Sequence, residues 1–240
     1  MSTAGFNALF VQHGMSAYAK QLALADATEG AGAWDLDLQS GSLKFANGPS
    51  YEIDLLGSYG EAAGTWLWVW ANRNMELPAA VTETAKSLRD LGRQKSVPEF
   101  HESETHDQET FCHQLAMIAV GESGAGAYYR APYDGGAAYL LIRETLPAIP
   151  ERHHLGRIQR VIAECISTYQ MPHRPAIEAF FTAENLPVAQ PEPHEILATA
   201  EDGDLRIRFD EEGRLTEMKS LLRASTKPSG GFFNRLFRKD

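Results

Sequence analysis

Alternating apolar and polar residues predict four strands in the first third of the chain. The alternation around Ser40-Gly41 is typical of a β-hairpin, and Asn47-Gly48-Pro49 forms the next turn. The fourth strand is the most apolar stretch, yet it is far shorter than the ~18 residues of a membrane span. The predicted strands are residues 34–38, 43–45, 51–58 and 65–72.

Apolar residues three to four positions apart predict five helices. Pro78 opens the second helix and Gly92 lies near its end, positions where proline and glycine are favoured. The polar residues 98–107 are expected to lead into the third helix as a loop. The predicted helices are residues 6–27, 78–92, 108–120, 151–170 and 175–185.

A second hairpin is predicted at residues 127–144, where Asp134-Gly135 supplies the positive φ angles of a tight turn. Further along, proline-rich residues 187–193 are typical of a linker. Three short strands then follow, separated by turns at Asp202-Gly203 and at residues 210–213. This last pattern predicts a small β-meander.

Together these elements predict an α+β fold, in which a mostly antiparallel sheet from two hairpin regions packs against helices, plus a C-terminal β-meander. The predicted units are an α+β main domain, a linker, the β-meander and a flexible tail rich in basic and aromatic residues. Their bounds are 1–186, 187–193, 194–224 and 225–240.

The formal charge of −10 limits the classes of partner. A nucleic acid is not expected, because neutralising its phosphates requires a basic surface, whereas a basic protein would suit the charge.

Cys112 and Cys165 lie in apolar, helix-like sequence and are expected to be buried free thiols of a reducing compartment. Since the first residues show no secretion signal, a cytoplasmic location is expected.

Two aromatic stretches resemble the signature elements of a bacterial family of domains of unknown function. They are Gly64-Thr-Trp-Leu-Trp-Val-Trp-Ala-Asn72 and Gly126-Ala-Tyr-Tyr-Arg-Ala-Pro-Tyr-Asp-Gly-Gly136. The resemblance covers roughly residues 5–145 and extends less clearly to 186. It implies no activity and no catalytic residue.

The first stretch places Trp66, Trp68 and Trp70 on one face of a predicted strand. The indoles could form a platform for a ligand or a cation. Alternatively, the apolar residues on the other face favour a strand that is buried on both sides. We therefore expect at least two of the three indoles to be nearly inaccessible to solvent.

The second stretch gathers polar aromatic and charged residues near a hairpin: Tyr128, Tyr129, Arg130, Tyr133 and Asp134. Arginine and tyrosine hydroxyls could bind a carboxylate or a phosphate, in a pocket between this hairpin and the tryptophan strand. The same residue types are enriched at protein interfaces. A third interpretation is a solvent-facing sheet edge with a local pair between Arg130 and Asp134.

Candidate metal ligands and catalytic motifs are weak. His101, His106 and His113 lie among acidic residues and beside Cys112, but their spacing matches no metal-binding motif. Neither a metal nor another cofactor is therefore expected. The sequence shows no nucleophile elbow and no glycine-rich phosphate loop, which favours a non-catalytic function.

The C-terminal tail carries its own functional signal. Its large apolar residues lie on one side of a short predicted helix, and residues 226–240 hold four basic charges and one acidic charge. Such a peptide could dock in a protein groove, at an anionic membrane surface or on its own acidic domain. The residues predicted to dock are Phe232, Phe233, Arg235, Leu236, Phe237 and Arg238.

These observations favour a non-catalytic cytosolic protein that binds another macromolecule, for instance an immunity-type or accessory protein whose acidic surface masks a basic partner. The first alternative is an enzyme or small-ligand sensor that uses a pocket between the tryptophan strand and the Tyr-Tyr-Arg hairpin. The second alternative is an adaptor that the tail holds to a complex or, through weak contacts, to a membrane surface.

Truncation tests the tail. Removing residues 226–240 should leave the melting temperature nearly unchanged and abolish recovery of a partner or of anionic vesicles, because Pro228 and Gly230-Gly231 separate the tail from the meander. Salt should weaken vesicle binding more than groove binding, since screening acts on charges. A melting temperature lowered by several degrees, with partner recovery retained, would show that the tail belongs to the fold.

Overall fold

The computed structural model describes residues 2–146 and 152–223, which form six α-helices and eleven strands. The helices are α1 (Ala4–Ala27), α2 (Ala79–Lys95), α3 (Pro98–His101), α4 (Glu109–Ser123), α5 (Leu155–Thr168) and α6 (His173–Ala183). The strands are β1 (Trp34–Asp37), β2 (Ser42–Phe45), β3 (Ser50–Gly60), β4 (Thr65–Trp68), β5 (Glu104–His106), β6 (Ala127–Tyr133), β7 (Gly136–Ile142), β8 (Val188–Ala189), β9 (Glu195–Thr199), β10 (Gly203–Phe209) and β11 (Leu215–Leu222).

Two antiparallel sheets organise these elements, and the predicted α+β fold is confirmed. The larger sheet runs β1-β2-β3-β4-β5, and β7 pairs with β3 and with β6. The smaller sheet runs β11-β10-β9-β8. Within the described residues no helix combines the length and the apolar character needed to cross a bilayer.

The eleven-residue strand β3 is the axis of the larger sheet. Its start pairs with β2, its second half pairs with β4, and β7 follows it from Ile53 to Gly60. The β3–β7 register shifts between Leu55 and Gly57, which marks a bulge. Because three strands hydrogen-bond to β3, its position fixes where both hairpins lie.

Tryptophans of β4 fill the core beside β3, as the structural interpretation predicts. Trp66 and Trp68 have exposed fractions of 0%, and their rings meet edge to face at 5.4 Å between centroids. The Trp68 indole nitrogen donates to the Glu99 carbonyl oxygen at 3.0 Å. On the helical side, Phe6 of α1 stacks on Phe111 of α4 at 5.2 Å.

The segment 65–72 is not one strand. It leaves the sheet after Trp68 and forms a 3₁₀ turn at Val69–Ala71. Trp70 therefore leaves the strand face, stacks on Trp68 at 6.1 Å between ring centroids, and lies 5.4 Å beneath the guanidinium carbon of Arg89. Local alternation could not reveal this turn, because the alternation continues through Trp70.

Two segments predicted as irregular contain regular structure. Residues 98–107 form α3 and then β5, which pairs with β4 through Thr65 and His106. The predicted linker carries β8, which pairs with β9 at the edge of the smaller sheet. These strands have three and two residues, too few for an alternating pattern to be recognised in the sequence, and each is defined by its pairing with a neighbouring strand.

The smaller sheet packs against α5. Asp202 accepts a hydrogen bond from the Leu155 backbone at the start of α5, at 2.9 Å. The Ser220 hydroxyl donates to Gln159 at 2.8 Å. Leu205 and Ile207 of β10 belong to the same buried cluster as the residues of the larger sheet.

Gly57 is the tightest point of the central strands, and its substitution tests this packing. An added Cβ would collide with the Leu67 carbonyl oxygen and lie 2.8 Å from the Trp66 ring. Gly57→Ala should lower the free energy of unfolding by about 2 kcal/mol or more in urea denaturation, because overpacking displaces backbone.

Gly60 in the same strand is the matched control, since its nearest neighbour to an added Cβ is 4.0 Å away. Gly60→Ala should change stability by less than about 0.5 kcal/mol. Equal stability losses for the two variants would contradict the close approach at Gly57.

Candidate functional site

Arg130 lies at the centre of an ion-pair cluster on the larger sheet. Its Nε is 2.6 Å from Oε1 of Glu109, and its Nη2 is 3.4 Å from Oε1 of Glu61. The same Glu109 oxygen accepts a hydrogen bond from the Tyr139 hydroxyl at 3.1 Å. Strand β6 supplies Arg130, the β3–β4 turn supplies Glu61, and the first turn of α4, where a carboxylate is favoured, supplies Glu109.

The cluster continues inward through aromatic side chains. His113 follows Glu109 by one helical turn, and its Nδ1 is 2.7 Å from the Tyr128 hydroxyl. Its ring also meets the Tyr139 ring edge to face at 5.4 Å. We refer to Arg130, Glu109, Tyr139, His113 and Tyr128 as the Arg130 network, which joins α4 to strands β6 and β7.

Burial and pairing fix the charge states of the network. Partial burial opposes ionisation of Glu109, but hydrogen bonds from Arg130 and Tyr139 outweigh it and lower its pKa. The hydrogen bond to Glu109 raises the pKa of Arg130. Burial lowers the pKa of His113, and it raises the pKa values of Tyr128 and Tyr139. At neutral pH the network thus holds one ion pair surrounded by neutral groups.

The space between the tryptophan strand and the Tyr-Tyr-Arg hairpin is filled by side chains. The Trp66 ring contacts the Tyr139 ring edge to face at 5.4 Å, and both side chains are fully buried. Trp70 is half-buried but lies in the 3₁₀ turn. This geometry does not favour the ligand pocket expected between these two elements.

The candidate residues of the hairpin do not share one face. Tyr128 and Arg130 point towards α4, whereas Tyr129 packs edge to face on Phe45 and Trp34, at 5.4 and 5.9 Å between ring centroids. The predicted pair between Arg130 and Asp134 is not formed, because Glu109 and Glu61 are the partners of Arg130. These partners are distant in sequence, so local spacing could not indicate them.

Tyr133, the last residue of β6, and Asp134, in the β6–β7 turn, face solvent, with 51% of Tyr133 exposed. The Glu61 backbone donates to the Gly135 carbonyl oxygen, which ties this turn to the β3–β4 turn. Asp107 joins them, since its backbone donates to the carbonyl oxygen of Gly64 at 3.1 Å. We call Glu61, Asp107, Tyr133 and Asp134 the acidic loop surface.

The histidine-rich segment provides no cluster of three candidate metal ligands within residues 2–146 and 152–223. His106 instead contacts the Thr65 hydroxyl, with 3.0 Å between Nδ1 and Oγ1, and His113 belongs to the Arg130 network. Cys112 and Cys165 are buried free thiols, as expected. The tail residues predicted to dock lie outside the described residues.

Sequence reasoning missed Tyr139 and the two carboxylates that pair with Arg130, Glu109 of the network and Glu61 beside it. Glu61 and Glu109 lie 69 and 21 positions from Arg130, and Tyr139 lies 30 positions from Glu109. The one local signal is that Glu109 occupies a predicted first helical turn. Its arginine partner becomes evident only when α4 packs on the sheet.

Comparison with known proteins identifies a family. Residues 7–145 match the sequence pattern described as a family of unknown function, DUF6882. The matched region contains the Arg130 network and the acidic loop surface. No curated protein and no solved structure shows significant similarity to the chain.

His113 should make stability depend on pH. The unfolded histidine takes up a proton near pH 6.5, whereas burial lowers the pKa of His113 in the folded protein. Its stabilising contribution is therefore present above about pH 6.5 and is lost as the pH falls towards the folded pKa. The free energy of unfolding, measured in urea at pH 7.5 and 5.5, should decrease less for His113→Gln than for the unsubstituted protein.

The exposed His194 provides the control. His194→Gln should retain the pH dependence of the unsubstituted protein. If His113→Gln also retains it fully, the lowered pKa of His113 is refuted.

Proposed function

The chain belongs to DUF6882, a family of unknown function, and from the geometry of its site we propose that it acts without catalysis by binding a basic protein. The observation that carries this proposal is the charge distribution around Arg130. Glu109 and Glu61 already neutralise this guanidinium, while on the acidic loop surface Asp134 is exposed and Asp107 is partly exposed, with its Oδ1 accepting a hydrogen bond from the Gln108 backbone at 2.7 Å.

Asp107 and Asp134 are the carboxylates available to a partner. Among the described residues, neither forms an ion pair with a cationic side chain. They lie on two segments that backbone hydrogen bonds join to the β3–β4 turn, and Asp134 is the neighbour of the exposed Tyr133. Carboxylates around an aromatic residue suit a basic protein surface, because the charges orient the approach and a tyrosine supplies the contact area of a hot spot.

Rigid elements support this surface. The Arg130 network joins α4 to the sheet, and backbone hydrogen bonds from Glu61 and Asp107 connect the two turns and the end of β5. A surface that is already ordered loses less conformational entropy on association. This arrangement therefore favours binding of a folded partner.

The state of the thiols favours a non-catalytic function. Cys112 and Cys165 are both buried, and burial raises the pKa of Cys112 well above its ordinary range and that of Cys165 to about 12. Both therefore remain protonated and poorly nucleophilic at neutral pH. Reduced, enclosed thiols also support a cytoplasmic location.

One specific form of the proposal is an immunity-type or accessory protein that masks a basic partner, such as a nuclease toxin. The acidic surplus supports it: the chain carries 32 acidic against 22 basic residues. Nuclease surfaces that contact phosphates are basic, so a carboxylate-rich surface could compete for them. The tail remains a second proposed docking element for a complex or a membrane.

Substitutions on the acidic loop surface test the proposal. A partner is first recovered from the native host with the full chain, then purified and titrated by calorimetry. Tyr133→Ala should raise the dissociation constant tenfold or more, which is a loss of about 1.4 kcal/mol of binding free energy. The double variant Asp107→Lys/Asp134→Lys should lower the association rate at low salt and weaken affinity at least as strongly.

The matched control is Glu192→Lys/Glu211→Lys, which makes the same change of charge at two exposed positions of the C-terminal part. Its dissociation constant should stay within about twofold of the original at moderate salt, where distant surface charges are screened. Equal weakening by both double variants, or no effect of Tyr133→Ala, would contradict binding at the acidic loop surface.

A further inference from the structure

A cavity of about 90 Å³ lies at the end of the molecule where β6 begins. Helices α1, α5 and α6 contribute to its wall, together with the connection from α4 to β6. Strand β6 runs from this cavity to the acidic loop surface, and its seven residues span roughly 20 Å. The cavity is therefore separate from the proposed protein-binding surface.

The cavity concentrates positive charge in an acidic protein. Lys20, Arg152 and Arg157 line it, and Glu184 is the single carboxylate among the described lining residues. Arg152 already binds Glu184 in a bidentate pair, with distances of 2.7 and 2.8 Å. Lys20 and Arg157 therefore remain as the cations that can receive an anion.

Both of these cations retain donors for a ligand. Arg157 pairs with Asp26 through Nη1 at 2.7 Å, while its Nη2 is buried and has no acceptor among the described residues. Lys20 Nζ donates to the carbonyl oxygen of Ala125 at 2.8 Å, which uses one of its three protons. Burial lowers the pKa of Lys20, and the nearby positive charge of Arg152 lowers it further by a smaller amount. A bound anion would raise this pKa, because it stabilises the charged ammonium group.

The remaining wall is apolar and made partly of small side chains. Ala19 and Ala23 of α1 line it together with Val161 of α5 and Phe180 of α6. A cavity of about 150 Å³ accommodates a six-carbon ring. In proportion, the present volume suits a ligand of about four non-hydrogen atoms, and because the cavity is partly open a fifth atom of a short hydrocarbon part can extend from it.

We propose that this cavity binds a small organic carboxylate. The carboxylate group lies between Lys20 and Arg157, and the hydrocarbon part contacts Ala23, Val161 and Phe180. The two oxygens of a carboxylate match two separate donors, and the apolar wall disfavours a fully hydrated inorganic anion, whose desolvation it would not compensate. Neither the family assignment nor the proposed protein binding requires this site.

Binding is tested with propionate, using methyl NMR of the full chain at constant ionic strength. The methyl signals of Ala19 and Ala23 should shift and saturate with a dissociation constant in the millimolar range, which a ligand of about five non-hydrogen atoms can reach. Propionamide has the same shape without the charge and should bind at least tenfold more weakly. If propionamide matches propionate, or if neither shifts these signals, the proposal is wrong.

Inorganic phosphate distinguishes the class of anion. Shifts of the same methyl signals that saturate at a lower concentration of phosphate than of propionate would overturn the assignment to organic carboxylates. Weaker binding of phosphate would support it, because phosphate gains nothing from the apolar wall.

Variants locate the site. Lys20→Met and Arg157→Gln should each weaken propionate binding tenfold or more, whereas Arg160→Gln, on the same helix as Arg157 and half exposed, should change it less than twofold. Ala23→Leu retains every charge and should abolish binding by filling the cavity. Circular dichroism establishes whether each variant is folded. If Ala23→Leu is folded and binds propionate as well as the unsubstituted protein, the site is refuted. This result decides the question even if a charge variant does not fold.

Discussion

The close contact between β3 and β4 at Gly57 is the constraint on which the sheet depends. An added side chain there would meet the Leu67 carbonyl oxygen and the Trp66 indole, so only glycine lets the indole lie against the strand. Trp66 in turn contacts Trp68 and Tyr139. Trp66 and Trp68 are thus fully buried, where their large apolar area stabilises the fold and neither ring has a face open for a ligand.

The same packing determines how the molecule distributes its polar groups. Tyr139, held against Trp66, presents its hydroxyl to Glu109, and Glu109 receives Arg130. A guanidinium that could have bound an external anion is consequently neutralised within the fold. The charges left to solvent on the adjacent turns are carboxylates, whereas Lys20 and Arg157 line the cavity at the other end of β6. One strand therefore connects two surfaces of opposite electrostatic character.

Much of the fold could be predicted from the sequence, because hairpins and amphipathic helices are local. The turns at Ser40-Gly41 and Asp134-Gly135 have glycines with φ of 67° and 81°, the conformation that glycine adopts most readily. The resemblance to a family of unknown function, expected over roughly residues 5–145, agrees with the match to DUF6882 over residues 7–145. The errors were at β5, β8 and Trp70, where the conformation depends on a partner strand or a stacked ring and not on the local sequence.

The sequence by itself determined the fold class, the positions of most elements, the buried thiols and the acidic character of the chain. The tertiary structure decided which charges remain available. The sequence indicates Arg130 as a candidate ligand-binding residue, but in the fold Glu61 and Glu109 pair with it. No local pattern indicates that Lys20 and Arg157 line the same cavity. The physical reason is that charge pairing and cavities arise between segments far apart in the chain. A periodic pattern predicts which face of a helix or strand is buried, but it does not identify the residues against which that face packs.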